Sequence, residues 1–238
     1  MNDVRVFDDK ATLAEAVAKQ TVKILQAAIE QKGSGTWVLA GGSTPLAAYE
    51  IIAEKYRDSL AWTRITVIIG DERISAMDSP DNNWHAIDQI IGSLPTRKLR
   101  PQSDQSAEDA ANNYQEQLSS LAFTDTGLPC LDLVWLGVGA DGHTLSLFPG
   151  HPSLLPTNQL VISVHDSPKP PAERISLSLR ALIGTQAVMI IASGEDKQSA
   201  VRTAITGGSS PIALAASIIK THDGHVTWLV DKSAAPTD

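Results

Sequence analysis

The chain has 238 residues, of which 42% are hydrophobic and 19% charged, so it can bury a core and extensive disorder is excluded. Its net charge of −8 argues against nucleic acid as the main partner, although a local basic pocket can still bind a small anion. No stretch approaches the ~18 consecutive apolar residues of a membrane span, and the amino terminus lacks the pattern of a secretory signal.

Cys130 is the only cysteine and cannot form an internal disulfide, which fits a reducing compartment. We therefore expect a cytoplasmic protein with no membrane or nucleic-acid partner. Because Cys130 begins an apolar run, we interpret it as a small core residue rather than a nucleophile.

Strand patterns and helix patterns alternate from the start of the chain. The first half predicts, in order, a strand at 4–7, a helix at 12–30, a strand at 37–40, a helix at 45–55, a strand at 65–69, and helices at 83–92 and 106–121. In the first helix, Leu13, Val17 and Ile24 recur at helical spacing, and residues 12–15 have the form of a capping box. Pro45 suits the first turn of the second helix.

The second half continues the alternation. It predicts strands at 133–138, 160–164, 175–179 and 188–192, a helix that ends near 205, a helix at 212–219 and a strand at 226–230. Apolar strands that alternate with helices indicate an α/β fold, with a mostly parallel sheet covered by helices on both faces. The proline-rich segment 167–171 lies close to strands, so we interpret it as an active-site loop and expect a single domain over 1–238.

Four predicted strands end in polar or glycine-rich turns, at 41–44, 70–73, 139–144 and 193–197. Ligands of open parallel sheets bind outside the carboxyl ends of the strands. We therefore expect these four turns to meet in one crevice.

The first of these turns contains Gly42, Ser43 and Thr44. Glycine lets the backbone approach a ligand closely, the following helix offers free amides to an anion, and the two hydroxyls add donors. The alternative is a tight turn with a serine or threonine cap. The segment is not a Walker A loop and contains no GxGxxG pattern.

Charged side chains lie at three further places. Asp71, Glu72 and Arg73 follow an apolar strand, and such charges need solvent or a ligand. In the functional interpretation Arg73 binds an anionic substrate and a carboxylate such as Asp71 orients groups, whereas the alternative is a solvated turn. Arg174 and Lys197 lie beside predicted strands, where solvated surface cations are the default.

The turn at 139–144 contains Asp141, Gly142 and His143. An imidazole held by a carboxylate is a general-base candidate near neutral pH. Metal binding is the alternative, but no HExxH or paired-cysteine spacing supports it. We expect neither a metal nor a cofactor.

Together these segments resemble the 6-phosphogluconolactonase family. The shared motifs lie at 40–46, 70–73, 81–83, 136–151, 167–175 and 194–197. They occur in the same order as in the family and cover almost the whole chain, and the run from 136 to 151 with the proline loop is highly specific.

The resemblance implies a Rossmann-like α/β fold and hydrolysis of 6-phosphogluconolactone, the lactone of the oxidative pentose phosphate pathway. It implies that His143 is the general base with Asp141 beside it. It also associates Arg73, Arg174 and Lys197 with the substrate or its phosphate. We expect a sugar-phosphate lactone as the partner and a monomer or small homo-oligomer.

Two other classes of protein share features with the chain. Glucosamine-6-phosphate deaminases carry Phe-Asn-Glu-Pro-Gly after the Asp-Gly-His motif, but residues 147–150 are Leu-Phe-Pro-Gly, without the acid. Sugar-phosphate sensors carry an additional DNA-binding helix pair.

Trp84 and His85 depart from the family pattern, a change that could reshape the rim of the pocket.

Overall fold

The secondary structure alternates between strands and helices along a computed structural model that describes residues 3–206 and 225–236. The strands are β1 Asp3–Phe7, β2 Gly35–Leu39, β3 Ile65–Ile69, β4 Asp71–Arg73, β5 Arg97–Leu99, β6 Leu133–Gly137, β7 Val161–Val164, β8 Arg174–Leu177, β9 Ala187–Ala192 and β10 His225–Asp231. The helices are α1 Lys10–Lys32, α2 Ser43–Lys55, α3 Asn83–Ile91, α4 Ala107–Leu118, α5 Leu179–Leu182 and α6 Gln198–Thr206.

Seven strands form one sheet in the order β1-β10-β9-β6-β2-β3-β5, and each neighbouring pair is parallel. Its central strands are buried on both faces, whereas the edge strands β1 and β5 are partly exposed. In β6, Leu133 and Trp135 pack into one hydrophobic cluster, whereas Val134 and Leu136 pack into another. Since successive side chains of a strand point to opposite faces, the two clusters lie on opposite sides of the sheet.

Helices cover both clusters. Buried residues of α1, α2 and α3 belong to one cluster, and buried residues of α4 and α6 belong to the other. The predicted fold class, an α/β protein with a mostly parallel sheet between helices, is confirmed. No helix among the described residues is long and apolar enough to cross a membrane.

Three antiparallel strands form a second sheet, in the order β4-β8-β7. The sequence pattern did not predict this separate sheet. The segment 71–73 was expected to be a turn, but it pairs with β8, and Arg73 lies opposite Arg174. The strand β5 was also missed, because a three-residue strand with two cations gives no apolar run. Both short strands form because a neighbouring strand pairs with them, and their own residues carry no strand pattern.

Helix boundaries differ from the prediction at two places. The first helix begins at Lys10 with Asp9 as its N-cap, and the capping box joins Asp9 to Thr12. The prediction that Thr12 itself is the cap was wrong, because an aspartate three residues earlier accepts the amide of Thr12 instead. The helix α4 ends at Leu118 rather than at 121, and the helix predicted at 212–219 lies outside the described residues.

Candidate active site

The carboxyl ends of β2, β6 and β9 border a cavity of about 420 Å³, together with β4, which follows β3 directly, and the loop between β7 and β8. Parallel strands bring these ends to one edge of the sheet. The cavity is lined by Gly42, Ser43, Thr44, Asp71, Arg73, His143, Arg174 and Lys197. Of the residues predicted to be catalytic or to bind the substrate, Asp141 alone is absent from this lining, and its carboxylate contacts His143 Nδ1.

The amino terminus of α2 opens into the cavity. Gly42 is its N-cap, with a φ of 101°, and no side chain caps the helix. The alternative of a serine or threonine cap is therefore not seen, and the first backbone amides of α2 remain available to an anion. The buried Tyr49 hydroxyl donates to the Ala40 carbonyl and accepts from its amide, at 3.0 Å each, which ties the helix to the end of β2.

Glu72 is almost fully buried, in contrast to the expected solvated turn. Its carboxylate accepts the backbone amides of Arg73, Asn83 and Trp84 at 2.7–2.9 Å, so it closes the amino terminus of α3. Burial raises the pKa of Glu72 to about 7, and the three amides oppose this rise. The role of Glu72 is to fix the backbone on which its neighbours lie.

Asp71 and Arg73 flank Glu72 and turn towards the cavity. The hydroxyl of Ser146 donates to Asp71 Oδ2 at 2.7 Å, which fixes that carboxylate. Arg73 donates from Nη1 to the Asp81 carbonyl at 2.8 Å, while its buried Nε has no hydrogen-bond partner among the described residues. A buried donor without a partner costs free energy, so Arg73 is suited to a ligand that supplies an acceptor.

Arg174 lines the cavity, but its donors hold the loop between β7 and β8. Its Nε donates to the Pro171 carbonyl, and its Nη2 donates to the Lys169 and Pro170 carbonyls, at 3.0–3.1 Å. The guanidinium also lies over the Phe148 ring at 5.6 Å. Burial lowers the pKa of Arg174. A large part of the hydrogen-bonding capacity of this arginine therefore stabilises protein backbone.

His143 and Asp141 form a close pair beyond the end of β6. His143 Nδ1 lies 2.5 Å from Asp141 Oδ1, and the imidazole packs on Phe148 at 4.7 Å between ring centres. This approach requires glycine at position 139, since a Cβ there would lie 2.1 Å from His143 Nδ1. The turn also uses Gly142 in the left-handed region, at a φ of 82°.

The electrostatics of the pair favour a neutral imidazole beside a carboxylate. Burial lowers the pKa of His143, and the hydrogen bond and charge of Asp141 only partly oppose this. Burial would raise the pKa of Asp141, but the hydrogen bonds and charges of His143 and Lys169 lower it below its ordinary value. In the pH range in which His143 is neutral, Asp141 is therefore ionised.

Sequence reasoning missed Lys169, although it lies in the proline-rich segment predicted to be an active-site loop. Its Nζ donates to Asp141 Oδ1 at 3.1 Å, and the residue lines the cavity. The only signal in the sequence was a single cation between prolines in that segment. A contact with Asp141, 28 positions earlier, could not be read from spacing.

Lys197 also lines the cavity, from a short 3₁₀ turn after β9. The turn is fixed by Asp231, which accepts from the Ser193 hydroxyl at 2.6 Å and from the Gly194 amide at 3.2 Å. Lys197 pairs with Asp196 at 2.7 Å, and the Asp196 side chain is largely exposed. Such a pair is weak in water, so the ammonium can be transferred to an anionic ligand at low cost.

Trp84 and His85 do not line the cavity, so the expected change of the pocket rim is not seen. Trp84 is buried, and Arg100 lies 5.7 Å from its ring centre. Among residues 3–206 and 225–236, no group of three or more histidine, cysteine, aspartate or glutamate side chains could hold a metal ion. The absence of a metal and of a cofactor stays a prediction.

The fold and the site define a class of α/β protein with a cationic cleft and an imidazole–carboxylate pair at the carboxyl edge of a parallel sheet. The family model for glucosamine-6-phosphate isomerases/6-phosphogluconolactonase matches residues 8–228. The chain belongs to this family, and the resemblance seen in the sequence is confirmed.

Relatives in this family match nearly the whole chain. A 6-phosphogluconolactonase of Streptomyces coelicolor is 34% identical and covers 97% of this chain and 92% of its own. A probable chloroplastic 6-phosphogluconolactonase of Oryza sativa is 34% identical over 96% of this chain and 74% of its own length. The solved 6-phosphogluconolactonase of Trypanosoma brucei matches with a TM-score of 0.87 at 27% identity, over 98% of this chain and 97% of that one.

The close approach of Gly139 to the pair gives a direct test of its geometry. In Gly139→Ala, the added Cβ would overlap His143 Nδ1 and lie 2.4 Å from Asp141 Oδ1, so the pair must move by roughly 1 Å. The hydrogen-bonded Nδ1 proton of His143, observed by NMR in histidine-labelled protein, is expected to lose its downfield shift. In Gly137→Ala the Cβ would meet nothing within 4 Å, and the signal should persist. An unchanged signal in Gly139→Ala would contradict the packing described.

Proposed function

We propose that this protein hydrolyses 6-phospho-D-glucono-1,5-lactone to 6-phospho-D-gluconate, the second step of the oxidative pentose phosphate pathway, with His143 as general base. The observation that carries the proposal is the His143–Asp141 pair, whose imidazole lines a cavity that several cations and the open amino terminus of a helix also line. The Streptomyces coelicolor and Trypanosoma brucei relatives, both described as 6-phosphogluconolactonases, support the same reaction.

The contact with Asp141 fixes the tautomer of His143. An ionised carboxylate can only accept a hydrogen bond, so Nδ1 must carry the proton and donate it to Asp141 Oδ1. The lone pair of the neutral imidazole is then on Nε2. This nitrogen is the one that can accept a proton from water.

Hydrolysis then follows in two steps. Nε2 takes a proton from a water molecule as that water attacks the lactone carbonyl carbon, and Asp141 stabilises the imidazolium that forms. The tetrahedral intermediate collapses as the bond to the ring oxygen breaks, and the imidazolium returns the proton to the ring oxygen, which becomes a hydroxyl. The free amides of α2 and the cations of the cavity are the available donors for the oxyanion.

The phosphate requires local cations, because the chain as a whole carries a net charge of −8. Lys197 suits this role since its partner Asp196 is solvent-exposed. Arg73 suits it since its Nε is buried without a partner among the described residues. Binding of the distant phosphate would hold the lactone carbonyl in place against His143.

Deamination of glucosamine 6-phosphate is the second candidate, because the family model covers isomerases as well. The acidic residue that those enzymes carry after the Asp-Gly-His motif is replaced here by the run Leu147–Gly150. Leu147 and Phe148 are buried and offer no acid–base group. The hydrolase is therefore the better fit.

The reaction is tested in a coupled assay. Glucose 6-phosphate and its dehydrogenase generate the lactone, and added protein should accelerate 6-phosphogluconate formation well above the spontaneous rate. Ammonia release from glucosamine 6-phosphate is measured in parallel. Folded protein that gives no acceleration would refute the lactonase, and release of ammonia would favour the deaminase.

Substitution of His143 tests the general base. In His143→Ala, kcat should fall roughly 10²- to 10⁴-fold, the usual contribution of acid–base catalysis, with little change in melting temperature. In the parent enzyme kcat/KM should fall as the imidazole protonates, and this acid limb should lie below the ordinary histidine value of 6.5, because burial lowers the pKa of His143.

His85→Ala is the matched control, since His85 lies on α3 and contacts Gln89 outside the cavity. It should keep the parental kcat. Near-parental turnover in folded His143→Ala would reject the catalytic role while leaving the assay valid.

Substitution of Lys197 tests the phosphate contact. A charge-assisted contact contributes about 1.5–3 kcal/mol, so Lys197→Met should raise KM for the phosphorylated lactone by one to two decades. The slow hydrolysis of unphosphorylated gluconolactone should hardly change, because that substrate lacks the dianion. Equal losses on both lactones, or no loss on either, would remove Lys197 from the phosphate site.

A further inference from the structure

The loop between β7 and β8 holds Lys169 in a fixed position. The Ser167 hydroxyl donates to the Lys169 carbonyl at 2.8 Å, and Arg174 Nη2 donates to the same oxygen at 3.0 Å. The Ser167 amide donates to the Ala172 carbonyl at 3.0 Å, which closes the loop at its base. Proline on each side of Lys169 further restricts the backbone, so little backbone entropy remains to be lost when the side chain makes a contact.

The Lys169 side chain ends on the oxygen that His143 uses. Its Nζ lies 3.1 Å from Asp141 Oδ1, and His143 Nδ1 lies 2.5 Å from the same atom. A carboxylate oxygen has two lone pairs and can accept both donors. Asp141 is therefore held from two sides, by the turn after β6 and by the loop after β7.

We propose that Lys169 is a positioning residue, which fixes Asp141 by the oxygen that faces His143 and so disfavours protonation of the imidazole. The inference deepens the function proposed above and rests on it. Lys169 transfers no proton in this scheme. Its effect on the reaction passes through Asp141 and His143, and it extends the range of pH over which Nε2 can accept a proton.

The charges around the imidazole act in opposite directions. Asp141 on the same turn and Asp71 on β4 favour the imidazolium, whereas burial and Lys169 disfavour it. The negative charges of Asp71 and Asp141 also act on the Arg174 guanidinium. Of these groups, Lys169 is the cation in direct contact with the oxygen that binds the imidazole. Its removal therefore changes the charges around the imidazole at the shortest distance.

A different role is open to Lys169, because its side chain is 41% exposed and lines the cavity. It would then bind the substrate directly, and its loss would raise KM without moving the pH profile. The two roles predict different measurements.

The first measurement needs no substrate. Imidazole signals of histidine-labelled protein are titrated by NMR, and His143 is assigned by its absence in His143→Gln. In Lys169→Met the titration midpoint of His143 should move to higher pH by about half a pH unit, the effect expected of a partly exposed charge. Lys169→Arg should restore the parental midpoint. Lys55→Met removes a cation that pairs with Glu15 outside the cavity and should leave the midpoint unchanged.

The second measurement is the pH profile of lactone hydrolysis. In Lys169→Met the acid limb of kcat/KM should move in the same direction and by the same amount as the NMR midpoint, with less than a threefold change of KM at the plateau. A raised KM with an unmoved limb would overturn the proposal and make Lys169 a substrate ligand. An unchanged NMR midpoint would overturn it even if the protein had no lactonase activity, so failure of the positioning role and failure of the proposed function are distinguishable.

Discussion

Parallel pairing throughout the seven-stranded sheet determines where chemistry can occur in this protein. It buries the central strands on both faces, so their residues are mostly apolar. It also brings the carboxyl ends of β2, β3, β6 and β9 to one edge, where the segments that follow these strands carry polar side chains. Each functional group described above lies on one of those segments or on the small sheet beside them.

The site concentrates cations within an acidic chain, and it does so by giving each cation a different partner. Lys169 contacts a carboxylate, Arg174 contacts backbone carbonyls, and Lys197 contacts an exposed acid. These contacts differ in how easily a ligand replaces them, because exposed ion pairs contribute little, whereas a buried guanidinium with several acceptors is costly to displace. Arg174 therefore holds the loop, whereas the ammonium of Lys197 is the more easily released from its partner.

Much of this arrangement could be predicted from the sequence. Apolar strands and helical periodicity predicted most of the main sheet, and the glycine-rich turns at 41–44 and 139–144 indicated where the cavity and the imidazole–carboxylate pair lie. The prediction was less complete where the position of a residue depends on a partner that is distant in the sequence. Lys169 contacts Asp141 across a loop, Arg174 binds carbonyls that any residue would provide, and β4 forms only because β8 lies beside it.

Gly70 joins the two sheets by backbone hydrogen bonds. These bonds fix the distance between the part of the site on the parallel sheet and the part on the antiparallel sheet. Its amide donates to the Leu39 carbonyl of the parallel sheet, while its own carbonyl accepts from the Leu177 amide of the antiparallel one. A Cβ at this position would lie 2.6 Å from Leu145 Cδ2, and Leu145 itself holds a φ of 54°, which is strained for a leucine. Leu145 lies against the junction and on the cavity wall, two residues after His143. His143 and Arg174 both contact the Phe148 ring, so the turn after β6 packs against the small sheet as well as against the junction between the sheets.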